Sequence, residues 1–282
     1  MRRPSRFSRR ARRRLGTLLR RLVLGLFALW CLFPVYWLAT MSLKTPVEAA
    51  SRNPSFLFRP ILDNYRAVLD RPEIWGYFVN SSIVALGSTA LVLLIGVPCA
   101  YALGRYRFRG AADFGFWILT TRMTPPVAVL IPFYVLYVRT GLVDTRAGLI
   151  LAHVALNLSI AVWLMKGFFE DLPPELEEAA LVDGATRWQA FRDIALPVAV
   201  PGIAAVAILC FLFSWNEFLF SLVLAGSTVR TVPLGLYSFI GYQQIDWGSL
   251  SASAVLLLAP VLVILVLFGR HLVRGLTLGA VK

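Results

Sequence analysis

Six windows of about twenty residues, almost free of charge, constrain this 282-residue chain more than any other feature. They run over Leu22–Leu43, Ser82–Leu103, Phe114–Val138 (interrupted by Arg122), Ala147–Met165, Val198–Leu224 and Leu250–Gly269. A helix of ~20 apolar residues crosses the hydrocarbon core of a bilayer and satisfies its own backbone hydrogen bonds while doing so. Composition agrees. Apolar types make up 58% of the chain and charged types 15%, against roughly 45–50% and about 25% in soluble domains. A soluble fold of ~300 residues buries only about three quarters of its chain surface, so a soluble enzyme and a disordered tail protein are both excluded. The expected fold is an all-α integral membrane protein with six transmembrane helices.

Net charge is +13, which would suggest nucleic acid if it were spread over a surface. It is not. Residues 1–21 hold ten arginines and no acid, and the remainder carries eighteen bases against fifteen acids. A basic tail beside a span marks the cytoplasmic side and meets anionic lipid heads; no nucleic-acid partner is expected. With the N-terminus inside, nineteen Lys and Arg face the cytoplasm and eight face outward, so both termini are expected in the cytoplasm. The Arg105-x-Arg107-x-Arg109 cluster supports that direction without the tail. The first span resembles a signal peptide in its basic start. Its apolar stretch exceeds the 7–15 residues of such a segment, and Trp30, Tyr36 and Trp37 suit an anchored interfacial helix. A retained anchor is expected.

The chain then divides into an Arg-rich tail, 1–21, and a membrane domain, 22–282, whose core runs from about 74 to 270. Two excursions leave the bilayer. Thr45–Trp75, on the outside, has turn-formers at Pro46, Pro54, Pro60 and Pro72 and a short helix around Asn64–Leu69. Residues 170–197, on the inside, carry seven acids against Arg187 and Arg192. An inner loop with an acidic excess meets protein rather than lipid. Pro173 and Pro174 start a helix there, with acids in its first turn favoured by the helix dipole. Leu176, Ala179, Ala180 and Asp183 share a narrow face at helical spacing. Gly184 permits a positive-φ turn, and Thr186 caps a second short helix bearing Trp188 and Phe191. A helix–turn–helix with small residues on one face reads as a docking element.

The order Glu178-Ala179-Ala180, three residues, Gly184, nine residues, Ile194, one residue, Leu196-Pro197 resembles the EAA loop of bacterial ABC importer permeases. The chain is further similar to the second permease subunit of maltose-type carbohydrate systems. The stretches that carry this likeness are Phe78–Ser81, Arg122–Pro126, Trp215–Phe218, Gly241–Gly248 and Arg274–Lys282. The resemblance covers nearly all of 22–282 and not the arginine tail. It implies the type I importer permease fold in the bacterial cytoplasmic membrane, with a coupling helix between helices four and five. It implies a second homologous permease, two ATPase subunits and an extracytoplasmic sugar-binding protein as partners. It also implies that Glu178, Ala179, Ala180, Asp183 and Gly184 dock on the ATPase, and that substrate, a sugar, oligosaccharide or polyol, moves by alternating access. None of the three lysines lies in a phosphate-binding GxxxxGK[ST] loop. The chain is therefore expected to be no enzyme and to bind no cofactor, with ATP and Mg²⁺ used by the partner ATPase.

Two ionisable residues, Arg122 and Glu217, lie inside spans, where each costs ~2.5–3.5 kcal/mol on insertion scales. They either line the substrate pathway, Glu217 and Asn216 at an outer gate and Arg122 nearer the cytoplasm, or brace the bundle through hydrogen bonds. Along straight helices their depths differ by about 16 Å, so a direct ion pair is not expected unless Pro125-Pro126 breaks the third span. Asn157 is a further pathway residue, and Tyr242 and Gln243 are expected to contact the binding protein. Cys31, Cys99 and Cys210 read as small buried hydrophobes, no metal site is expected, and His153 and His271 are too far apart in sequence to imply a site. An ion-gradient-driven secondary transporter is the competing class. It would show inverted repeats and midplane coupling carboxylates; no repeat is evident, and Glu217 is the only acid within a span.

Overall fold

The computed structural model describes the backbone of residues 6–51, 53, 55–240 and 245–278, and side chains except those of 6–14 and 270–278. Tyr242 and Gln243 lie outside the described residues. Two compact units emerge: residues 1–68 with 239–256, and residues 69–238 with 257–282.

In the first unit, α1 (Arg6–Ser42) is one continuous helix carrying the first span. From Leu15 to Val35 its apolar side chains are exposed, Trp30 at 74%, the arrangement of a helix whose solvent is lipid. Cys31 is exposed there as well, which corrects the expectation of a buried thiol. The helix gives way to α2 (Pro46–Ala50), which is closed by a Thr45–Glu48 capping box, and to α3 (Asp63–Leu69). Asn64, buried, donates from Nδ2 to the carbonyls of Ser42 and Lys44 at 2.9 and 2.8 Å. The Lys44 ammonium, 1% exposed, is caged 4.8 Å from the Trp37 ring and 5.2 Å from that of Phe58. These contacts turn the chain out of the span.

The second unit is built on α4 (Pro72–Arg105) and its neighbours. A loop leads to α5 (Ala111–Met123) and α6 (Pro126–Thr140), which together occupy the third apolar window but meet at 97°. The cause is local. A residue before proline is pushed out of the α region, and both Thr124 (ψ 125°) and Pro125 (ψ 125°) adopt extended backbone ahead of Pro125 and Pro126. The long α7 (Arg146–Asp171) follows, then α8 (Glu175–Val182), α9 (Arg187–Gln189) and a π turn over Ala190–Ala195 that runs into α10 (Leu196–Trp215). The fifth window does not continue to Leu224 as one helix. It stops at Trp215 and resumes as α11 (Leu219–Leu224) after a break at Asn216–Phe218. Next come α12 (Val232–Leu236) and α13 (Trp247–Leu278), whose later part belongs to this unit. Among the described residues, five helices are long and apolar enough to cross a bilayer, or six if the bent α5–α6 pair is counted as one broken span.

The core forms where α4, α7 and α10 pack together. It gathers Val92, Val97 and Ala100 from α4, Ala161, Val162 and Met165 from α7, and Ala199, Val206 and Cys210 from α10. Lipid is as apolar as leucine, so small residues that allow close approach drive such packing. A Cβ on Gly96 would sit 3.4 Å from Leu158 and 3.6 Å from Ala161 of α7, and one on Gly202 would strike the Phe168 ring at 2.7 Å.

Candidate functional site

At one end of the second unit, the segment between α7 and α10 forms a surface element. No residue of α8 is buried, and Glu178, Ala179, Asp183 and Gly184 are exposed while Ala180 is half-buried. Its turn closes as the sequence dictates. Gly184 has φ +90°, a conformation that costs a side chain energy. The Gly184 and Ala185 amides donate back to the Leu181 and Ala180 carbonyls at 3.1 and 3.0 Å, satisfying the orphan carbonyls of a helix end. Thr186 then opens α9 with a capping box to Gln189.

Packing ties this element to α4. Glu177, rather than Glu178, makes the tie: it accepts from Arg105 Nε at 2.8 Å and from the Tyr101 hydroxyl at 2.6 Å. Arg105 also donates from Nη2 to the Leu172 carbonyl at 2.9 Å. Phe191, buried in the π turn, stacks 4.6 Å from the Tyr101 ring and 5.3 Å from that of Trp188. The Arg187 guanidinium lies 5.3 Å over the Tyr106 ring. Glu178 is thereby left projecting outward, with Ala179 and Gly184, from an element whose back is fixed. From Arg187 to Trp215 the chain is one continuous 29-residue helical run, about 43 Å at 1.5 Å per residue.

Two of the ionisable residues of the apolar windows, Arg122 and Glu217, meet α7. Arg122 donates from Nη1 to the Leu156 carbonyl at 3.0 Å and lies 5.3 Å over the Phe213 ring. Glu217 sits in the break of the fifth window, where it accepts the Phe220 and Ser221 amides at 2.8 and 3.1 Å. Its Oε2 is 3.3 Å from Nε2 of His153. Residues 153 and 156 are less than one turn apart, about 4.5 Å of rise, so the straight-helix depth difference of about 16 Å does not apply. Arg122 and Glu217 nevertheless have separate partners. Asn157 lies one residue beyond Leu156 and is buried at 3% exposure, whereas Asn216 is exposed and bonds back to the Leu212 carbonyl at 2.8 Å. His153 is 0% exposed; its distance from His271 in sequence carries no spacing signal, although an ionisable residue inside an apolar window is itself a signal.

At the other end, a loop cluster is pinned by residues the sequence reading did not single out for that role. Asp144, at φ 55°, accepts the amides of Gly226, Thr228 and Val229 at 2.9–3.3 Å. Burial pushes its carboxyl upward, but the hydroxyl and amide donors of Thr228, Gly226 and Val229 outweigh it and hold the group below the usual range. Asn80 donates to the Thr228 and Arg230 carbonyls, both at 3.2 Å, and accepts from Arg146 Nε at 2.9 Å. Ser81 accepts the Val232 amide at 2.8 Å. The Phe78–Ser81 stretch thus serves to pin the 226–232 loop.

A bundle of broken and unbroken spans, with an anchored, outward-facing helical element at one end, defines a membrane-embedded helical protein. Known proteins carry the assignment further. Residues 92–278 match the model of the binding-protein-dependent transport system inner membrane component, and the chain belongs to that family. It is 34% identical over 256 residues to the trehalose transport system permease protein of Mycobacterium tuberculosis, covering 90% of this chain and 93% of that one. It is 33% identical over 273 residues to the trehalose/maltose transport system permease protein of Thermococcus litoralis, covering 93% and 96%. In three dimensions it is similar to a chain of a bacterial ABC transporter involved in the import of the acidic polysaccharide alginate. There the TM-score is 0.75 and the identity 25%, over 96% of this chain and 99% of that one. The chain is an ABC importer permease subunit of the bacterial inner membrane, a family of permeases and not of ATPases.

Proposed function

We propose that this permease imports a sugar, oligosaccharide or polyol, delivered by an extracytoplasmic binding protein, as one half of a pair with a second homologous permease. Two ATPase subunits bind ATP and Mg²⁺ and close on each other. Glu178, Ala179, Ala180, Asp183 and Gly184 dock in them as the coupling surface, on the cytoplasmic side with both termini. The observation that carries this reading is the α8–Gly184–α9 element: outward-facing, anchored through Glu177 to Arg105 and Tyr101, and continuous with α10. Small residues let the partner approach, while the anchor prevents the element from moving without the bundle. Asn157, Arg122, Asn216 and Glu217 contribute to the pathway or its gate by their convergence on and around α7. Tyr242 and Gln243 are assigned to binding-protein contact, and membrane lipid covers α1. The carbohydrate class is supported by the two trehalose-type relatives.

The test is purification of the tagged chain from its native membrane in mild detergent, with mass spectrometry of the ligand retained by the co-purified binding protein. An ATPase, a second permease and a carbohydrate or polyol are the expected finds. A non-carbohydrate ligand overturns the substrate class, and a chain recovered without any ATPase overturns the coupling assignment.

A further inference from the structure

His153 is buried where an apolar residue would pack at no electrostatic cost, and a polar group there is retained only if it is bonded. Its two nitrogens face different elements. Nδ1 lies 2.6 Å from Ser214 Oγ on α10, and that hydroxyl lies 2.9 Å from Ser88 Oγ on α4. Nε2 lies 3.3 Å from Glu217 Oε2 in the break between α10 and α11, at ion-pair distance but without hydrogen-bond geometry. Ser88 Oγ donates to the Ala85 carbonyl at 3.2 Å, so Ser214 donates to Ser88 and accepts from His153 Nδ1; with both ring nitrogens protonated, His153 meets Glu217 as an ion pair. The same Glu217 carboxylate receives the two amides that start α11. Beyond α11, the Leu224 carbonyl accepts the Asp144 amide at 2.8 Å, which leads into the pinned 226–232 loop. The run that begins at the coupling element therefore ends at a carboxylate held from α7.

We propose that His153 is a positioning residue of the transport cycle. By holding Glu217, it makes the break at Asn216–Phe218 a latch through which α11 and the loop beyond it follow movements of α10. The proposal rests on the importer reading above and assigns to that reading the contact that transmits motion across the break. Bundle packing alone would require the Nδ1 side, toward Ser214 and Ser88. A latch requires the Nε2 side.

Asparagine reproduces the reach of Nδ1, and glutamine that of Nε2, so the two substitutions separate these roles. The full complex is reconstituted in liposomes. The readout is the ratio of ATP hydrolysis with the cognate binding protein, purified with its retained ligand, to hydrolysis without it. Allosteric couplings commonly amount to 5–150-fold. His153→Gln is expected to keep the ratio near wild type, and His153→Asn to lower it about five-fold or more. Glu217→Gln, which keeps an acceptor for the Phe220 amide but loses the charge, is expected to lower the ratio to a similar extent. The Asn and Gln changes combined should be no worse than either alone. The proposal is overturned if His153→Asn keeps the ratio and His153→Gln loses it, or if all three variants match wild type. Failure of all three to assemble also overturns it, in favour of bracing. A wild-type complex that its binding protein does not stimulate defeats the importer reading itself, and the latch with it.

Discussion

Asp144 shows how much a single side chain contributes at the loop-bearing end. It occupies left-handed backbone, which Asn and Asp tolerate better than other side chains, and gathers three amides that would otherwise lack partners. A Cβ on Gly226 would meet its Oδ2 at 2.6 Å, so the loop must approach as bare backbone. Asp144→Ala is expected to cost about 2 kcal/mol, as a charged hydrogen-bonding group lost, and to lower the thermal midpoint of the detergent-purified chain. Asp144→Asn should cost less. Because the folded-state carboxyl titrates below its unfolded value, its contribution is complete above about pH 4 and is lost as pH falls through the depressed folded value. The midpoint gap between wild type and Asp144→Asn should therefore be constant near neutrality and narrow in acid. A gap unaffected by acid would show that the charge plays no part. At the other end Glu177→Gln leaves Arg105 without its carboxylate. About 2 kcal/mol is the expected loss, read from the same thermal midpoint, with Glu178→Gln leaving that midpoint unchanged.

Among the elements, the α8–α9 turn was legible in the sequence almost residue by residue. Acids in a first turn, a glycine where a positive φ is required and a threonine three residues before glutamine each specify local geometry, and local geometry needs no tertiary partner. Gly184→Ala is expected to strain this turn by about 1 kcal/mol and Thr186→Ala to remove a cap worth about 1 kcal/mol. Both should weaken ATPase recovery in a detergent pull-down while leaving the chain in the membrane, whereas undiminished recovery from both would place the docking surface elsewhere. The third and fifth windows were less legible. Hydropathy averages over a break, so α5–α6 read as one span although Pro125-Pro126 carried the reason for the bend. The fifth window held no proline at its break. Its interruption depends on a carboxylate that accepts the amides of the next helix, and Glu217 does so next to a histidine 64 residues away.

At the scale of the molecule, the sidedness inferred from charge has a direct test. With Cys31, Cys99 and Cys210 replaced, Asp183→Cys should be labelled by a membrane-impermeant maleimide only when the cytoplasmic face is accessible. Thr228→Cys should be labelled only from the opposite face. Labelling of both from one side would contradict the positive-inside assignment. The exposed apolar side chains of α1 also fit a permease that presents much of its surface to lipid and to a second permease, since a soluble chain could not leave Trp30 and Leu29 uncovered.

The sequence by itself determined that the chain enters the membrane, roughly where its spans lie, and how the α8–α9 turn folds. Those properties follow from transfer free energy and from short-range backbone geometry, which neighbouring residues specify. Only the tertiary structure decided which charges have partners. Glu177 rather than Glu178 anchors the α8–α9 element, because α4 brings Arg105 and Tyr101 to that side of α8. His153 meets Glu217, and Asp144 meets the loop after α11, because the close packing of α4, α7 and α10 sets their spacing. A hydrogen bond between groups sixty to eighty residues apart leaves no periodic trace in a sequence. It exists only once the helices that carry its two ends have packed.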